Sequence, residues 1–466
     1  MTNTKPSVMA VDVPRTNAGE FGRLAEELRH NRVSRRSSLW LLGAASAAPA
    51  LAVLQGCAQS PVSGESILVG MSEEQERAID AKVSPHQFSQ DLGAVQDAPS
   101  NDYVQQVGRQ MQGLTHRPDM PYSYRVLNAN HVNAYTFPGG AMGVTRGILV
   151  ELKDEAELAA LLGHEMGHVN ARHAAQRQGS AMVTQVAVAG LNVAASGSKW
   201  SGLVGLGSQV GASALLASYS RDNEREADAL GQSYMVKAGY PANGMTELHQ
   251  LLVDQEKQEP GMLATMFSSH PMSRERRDAA AVAAKTSYAA SLGASPQRER
   301  FMDSTSSLRA QRSVIKLCQE GESAMAREAL PQAHTALQSA MKSGPRDYAA
   351  HVRMAQCLQA MGQPGQARSV ARQAQALYPQ EAQAHKLAGV LALQMKDPGN
   401  AFASLDQFDR LLPGNAGVLF LKGVSLEGMG EKEKAAQHYA SYLEGNREGK
   451  AAQYAVSRLR AWGYVR

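Results

Sequence analysis

Three cysteines in 466 residues, Cys57, Cys318 and Cys357, are too few for a disulfide framework or for a metal site built from thiolates. Cys318 and Cys357 fall in a helix-rich C-terminal region, where their surroundings mark them as small apolar core residues. A bond between them would require the fold to bring them together. Long hydrophobic runs are missing too. Between Arg177 and Arg221 the only charge is Lys199, yet the stretch is Ala, Gly, Ser and Val interrupted by Gln178, Gln185, Asn192 and Gln209. No window of about 20 residues in it is predominantly large and apolar, which argues against a membrane span. The expectation is small-residue helices over the functional centre, acting as a lid, touching a membrane, or simply buried as a pair. A strong charge imbalance is also absent. The net charge is +4, and residues 1–56 alone carry seven Lys/Arg against four Asp/Glu, leaving +1 for the rest and no reason to expect a nucleic-acid partner.

Residues 1–56 read as a leader. Arg35 and Arg36 precede an uncharged Ala/Leu-rich run from Trp40 to Leu54, shorter than a membrane span, which ends at Gln55-Gly56-Cys57. The pattern resembles a bacterial lipoprotein signal with Cys57 as the acylated residue, and the paired arginines resemble a twin-arginine export signal. Ser38 and Gln55 depart from those patterns; the other reading is an uncleaved anchor. Either places the bulk of the chain outside the cytoplasm, and Ala58 after the cysteine favours the outer membrane.

What the chain does have is His164-Glu165-Met166-Gly167-His168 within a helical pattern. Asp154 and Glu157 predict a capping box, and Leu158, Leu162, Glu165 and Val169 recur at helical spacing. His164 and His168 then project from one face a turn apart and can reach a single ion, while Glu165 is placed to hold a water. Gly163 and Gly167 cost up to ~1 kcal/mol each in a helix interior, so they predict close approach of another backbone or a substrate. A catalytic zinc needs a third protein ligand and an open position. Glu224 and Asp228, four apart on a second helix, supply one carboxylate for the metal and one for the free ring N–H of a ligand histidine.

The motif His164–His168 followed by Ser220-Arg221-Asp222-Asn223-Glu224-Arg225-Glu226-Ala227-Asp228 resembles the zinc metallopeptidase family of HtpX and the CAAX prenyl endopeptidases, especially its periplasmic members with C-terminal tetratricopeptide repeats. The resemblance implies one zinc per chain held by His164, His168 and Glu224, Glu165 as general base, and Asp228 as the carboxylate behind a ligand. It also extends to Asn133–Gly140 and to His270-Pro271 followed by Arg276. His270 is expected to face the zinc, as a reversible latch on its open position or as a donor to the oxyanion; the plain alternative is a helix cap with Pro271 in the first turn.

Residues 122–150 alternate in strand fashion around a turn at Pro138-Gly139-Gly140. The strand just before the motif helix is expected to offer a free edge to an extended substrate. Beyond a loose segment, three columns repeat every 34 residues: Gly321, Ala355, Gly389 and Gly423; Ala333, Ala367, Ala401 and Ala435; Pro345, Pro379 and Pro413. That is the tetratricopeptide period, giving four repeats and a capping helix from Ala451 to Trp462. The predicted fold is mostly α, a gluzincin-type zinc metallopeptidase domain with a small β-sheet followed by an α-solenoid. The expected boundaries are leader 1–56, peptidase 57–290, linker 291–313 and repeats 314–466. The expected function is a periplasmic zinc endopeptidase acting on unfolded or misassembled envelope proteins, with the repeats binding clients or outer-membrane assembly machinery. A chaperone or assembly adaptor acting through the repeats is the alternative.

Overall fold

The computed structural model describes residues 57–181, 218–258, 264–271 and 274–465. The leader through residue 56 and most of the Arg177–Arg221 stretch, with the readings made on them, lie outside the described residues. No described helix is long and apolar enough to cross a membrane. The chain divides into two compact units. In the first, Cys57–Gln59 (β1) pairs antiparallel with Ser66–Leu68 (β2), and Gly70 runs so close to Gly179 that a Cβ on it would meet that backbone nitrogen at 2.6 Å.

The second unit opens with Glu73–Gln90 (α1), started by a capping box between Ser72 and Gln75, and Ala98–Gln112 (α2), whose buried stripe is Tyr103, Val104, Val107 and Met111. A three-stranded sheet follows. Ala141–Thr145 (β5) is central, parallel to Ser123–Leu127 (β3) and antiparallel to Ala134–Thr136 (β4). The strand just before the motif helix is therefore paired on both sides; the edge strands are β3, bridged on its outer side by Ala94, and β4, whose outer side pairs with no strand among the described residues. Phe137 donates to Ala141 and Thr145 to Asn133, so alternation turns the backbone groups of Ala134 and Thr136 outward.

Arg146–Leu149 (α3) leads to the motif helix Glu155–Asn170 (α4), every residue of which is buried. The Asp154 carboxylate caps it by accepting from the Glu157 N–H, but the Glu157 side chain reaches Lys153 N rather than closing a capping box. Against α4 pack Arg221–Lys237 (α5) and Asn243–Gln258 (α6); Ala264–Ser269 (α7) follows, and Arg274–Lys285 (α8) packs on α6 and α5. The expected linker is instead folded: Arg298–Ser304 (α9) and Ser306–Arg309 (α10) bury Phe301 and Leu308 in the same core as α4. Arg300 pairs with the buried Glu155, which also accepts from the Tyr103 and Tyr240 hydroxyls at 2.5 Å. Two apolar anchors suffice to dock this segment, and its polar average concealed them.

The remainder is four helix pairs: Arg312–Ala326 (α11) with Leu330–Ser343 (α12), Tyr348–Ala360 (α13) with Pro364–Leu377 (α14), Ala382–Gln394 (α15) with Pro398–Leu411 (α16), and Ala416–Gly428 (α17) with Lys432–Gly445 (α18); Lys450–Ala461 (α19) closes the stack. The 34-residue columns mark helix crossings. Ala333, Ala367, Ala401 and Ala435 are fully buried, and Gly321, Gly389 and Gly423 admit Leu337, Leu405 and Tyr439. Cys318 and Cys357 are buried free thiols.

Candidate metal centre

The α4 helix sets His164 and His168 with their Nε2 atoms 3.1 Å apart. Helix α5 crosses α4 in backbone contact: a Cβ on Gly163 would lie 2.8 Å from Gly231 O, and one on Gly167 2.7 Å from Ala227 O. Only glycine allows this approach. It brings Glu224 Oε2 to 3.5 Å from His164 Nε2 and Glu224 Oε1 to 3.4 Å from His168 Nε2. His270, just after α7, adds Nδ1 at 3.1 Å from Glu224 Oε1 and 3.3 Å from His164 Nε2. One atom from each of His164, His168, Glu224 and His270 lies within 4.8 Å of the others, and all four residues are buried.

Hydrogen bonds behind these side chains fix which nitrogens face the centre. His164 Nδ1 donates to Asp228 Oδ1 at 2.8 Å, leaving Nε2 with its lone pair inward. Asp228 is held in turn by Arg276 Nε and Nη2 at 2.6 and 2.7 Å and approached by His249 Nε2 at 3.3 Å. On the other side, His173 Nε2 donates to Glu226 Oε2 at 3.1 Å, so His173 Nδ1 accepts from His168 Nδ1 at 2.9 Å. His168 Nε2 is thus free to ligate. Arg276 Nη1 also reaches Glu224 Oε2 at 2.7 Å. Burial alone would raise the Glu224 carboxyl, but His270, His168 and His164 hold it well below its ordinary value. Burial drives His168 well down, keeping the imidazole neutral.

Glu165 is different. Its carboxyl is buried, with neither oxygen hydrogen-bonded, and burial pushes it above its ordinary range. Its nearest charged neighbour is His270 Nε2 at 3.8 Å. Two imidazole nitrogens and a carboxylate, with an orphaned acid beside them, fit zinc better than a hard oxygen-seeking ion. A cavity of about 160 Å³ opens beside the site, lined by Tyr135 and Thr136 of the open edge and by Tyr219, Ser269 and His270. The Tyr219 ring stacks on His168 with centroids 3.9 Å apart.

All six residues singled out by pattern, His164, Glu165, His168, Glu224, Asp228 and His270, therefore meet in one place. His173, His249 and Tyr219 escaped notice, and Glu226, which helical spacing turns away from the face of Glu224 and Asp228, reaches the site only through His173. The pair five residues after His168 and two after Glu224 was a possible signal; His249 and Tyr219 carried none.

Residues 98–283 match the model of "Peptidase family M48", and residues 324–391 match "Tetratricopeptide repeat". A "Beta-barrel assembly-enhancing protease" of Yersinia pestis is 30% identical over 250 residues, 52% of this chain and 50% of that one. The protein of that name from Escherichia coli is 26% identical over 190 residues, covering 39% and 38%. A mitochondrial metalloendopeptidase of Schizosaccharomyces pombe is 30% identical over 182 residues, covering 38% and 51%. The chain thus spans about half the length, or less, of these relatives. The site's geometry and the family match fall on the same residues: residues 98–283 are similar to peptidase family M48, and residues 324–391 behind them are similar to tetratricopeptide repeats.

Proposed function

We propose that the protein is a zinc-dependent endopeptidase acting on unfolded or misassembled envelope proteins, with one zinc per chain held by His164, His168 and Glu224. The observation that carries the reading is the buried, unpartnered carboxylate of Glu165 beside three converging donors. Zinc bound there would polarise a scissile carbonyl and acidify the attacking water. Glu165 would take the proton of that water and return it to the leaving amine, its raised pKa suiting both transfers. Asp228 and Arg276 hold His164, and His173 holds His168. An extended client adds to the open edge at Ala134 and Thr136, which presents its backbone beside the donors.

His270 supports a second feature. Its Nδ1 stands among the donors, making a four-donor set that would be closed to water. We read it as a latch that must leave before turnover. A permanently closed site would instead be structural, and the protein a chaperone or adaptor working through its repeats. The relatives' name suggests clients or machinery of outer-membrane β-barrel assembly, and the Cys57 signal suggests a lipid-anchored periplasmic protein at the outer membrane.

Glu165→Gln should abolish cleavage of an unfolded client with bound zinc unchanged, and Glu224→Ala should lose both. His270→Ala should keep zinc and raise basal cleavage. Zinc retained in Glu224→Ala would remove the third ligand from this scheme, and wild-type cleavage in Glu165→Gln would remove the general base. Cys57→Ser should release the protein from membranes.

A further inference from the structure

Away from the zinc ligands, at the start of α4, the carboxyls of Asp154, Glu157 and Glu247 each offer an oxygen within 4.8 Å of the other two. Helix starts attract acids, and that accounts for Asp154, whose Oδ1 accepts from Glu157 N. It does not account for Glu157. That side chain has no exposed surface; Oε2 accepts from Lys153 N at 2.7 Å, and Oε1 has no partner. Asn243, at the start of α6, donates Nδ2 to Glu247 Oε1 at 2.8 Å and leaves its own buried Oδ1 equally unpartnered. Gly244 lets α6 sit against the first turn of α4, where a Cβ would meet Ala156 O at 2.8 Å. The cluster therefore sits at the joint of two helices.

We propose that Asp154, Glu157 and Glu247 form a second cation site that takes calcium, with Asn243 holding Glu247 in place. The donors are all oxygen, with no imidazole or thiolate among them, which selects a hard ion. Three converging carboxylates leave room for the waters that complete a calcium shell of six to eight, and the part-exposed Glu247 provides the entry. Magnesium, which needs near-octahedral order and holds its own waters, suits a fixed helix joint less well. Without an ion, Glu157 and Glu247 are disfavoured as charges beside Asp154. Burial raises all three, Glu157 to about 7, and the Asp154 charge adds to the rise at Glu157 and Glu247, whereas Asp154 itself is steadied by the Glu157 and Ala156 N–H groups and by Arg298 and Lys153. A bound ion would pin α6 to the first turn of the motif helix, and α6 carries the His249 that faces Asp228.

The test uses the full-length, zinc-loaded protein. After dialysis against calcium chloride, elemental analysis should find one calcium per chain besides the zinc, with a dissociation constant of about 10⁻⁴ M or tighter. Calcium should also raise the thermal midpoint. Glu247→Gln, outside the cap and partly exposed, tests the site without threatening the fold; it should weaken calcium binding roughly tenfold or more and leave zinc unchanged. Three results would overturn the proposal: no calcium bound at about 10 mM, full binding by Glu247→Gln, or equal binding of magnesium.

Discussion

The two histidines of the motif are oriented by partners of very different burial. His164 leans on Asp228, itself clamped by Arg276 inside the protein, whereas His168 leans on His173, whose own partner Glu226 has a side chain 42% exposed. Removing His173 frees the His168 ring to rotate and to change tautomer. We expect His173→Ala to weaken zinc binding by roughly 10–100-fold, measured by competition with a chelator. Glu226→Ala should cost much less, because water can replace an exposed acceptor. Equal losses for both variants would show that Glu226, and not the buried His173 ring by itself, sets the orientation of His168.

At the scale of helices and strands, the glycine contacts between α4 and α5 decide where Glu224 stands. Gly167→Ala would place a methyl 2.7 Å from Ala227 O, so α5 must shift, and the Glu224 carboxylate moves with it. The expected cost is about 1–3 kcal/mol of stability together with weakened zinc binding. Gly113→Ala, with nothing within 4 Å of the new methyl, should show neither effect when the two are compared by chemical unfolding and zinc titration. Helix α1 makes a second, pH-dependent tie: Asp80 accepts from Gly139 N and Ala141 N at 2.8 Å, yet burial, aided by Glu76, raises its carboxyl to about 7. A native pKa above the ordinary 3.8 means the folded state binds the proton more tightly. This contribution is complete below about pH 4 and is lost as pH rises through 7. Asp80→Asn should flatten the stability profile between those values, partially, since Glu157 acts in the same direction. Those contacts also explain what was legible beforehand. The motif helix, its glycines and the 34-residue columns show because each obeys a local period. The open edge at β4 rather than β5 depends on the pairing of strands, and the docking of α9 on Phe301 and Leu308 depends on a distant core. Neither leaves a periodic trace.

For the molecule as a whole, the decisive residue is Arg146, fully buried between the peptidase core and the repeats. Its guanidinium reaches Asp347 at 2.6 and 3.1 Å and the Asn130 side-chain oxygen at 3.0 and 2.6 Å. Asp347 also caps α13 through Ala350 N, while Asn130 donates to Glu322 of α11 and accepts through its backbone from Gln319. The first repeats therefore grip the loop that runs into β4, the strand whose open edge faces the metal centre. Removing one partner leaves the other charged and buried, at a cost of about 3–5 kcal/mol, whereas replacing both by apolar groups costs far less. Asp347→Leu should lower the thermal midpoint sharply, and Arg146→Met with Asp347→Leu should recover most of it. The double variant should still bind zinc, because no zinc donor contacts Arg146, but its cleavage of an unfolded client should fall as the loop before β4 loses its anchor. If the double variant cleaved at the wild-type rate, the repeats would be fixing stability alone and the edge strand would hold its place without them.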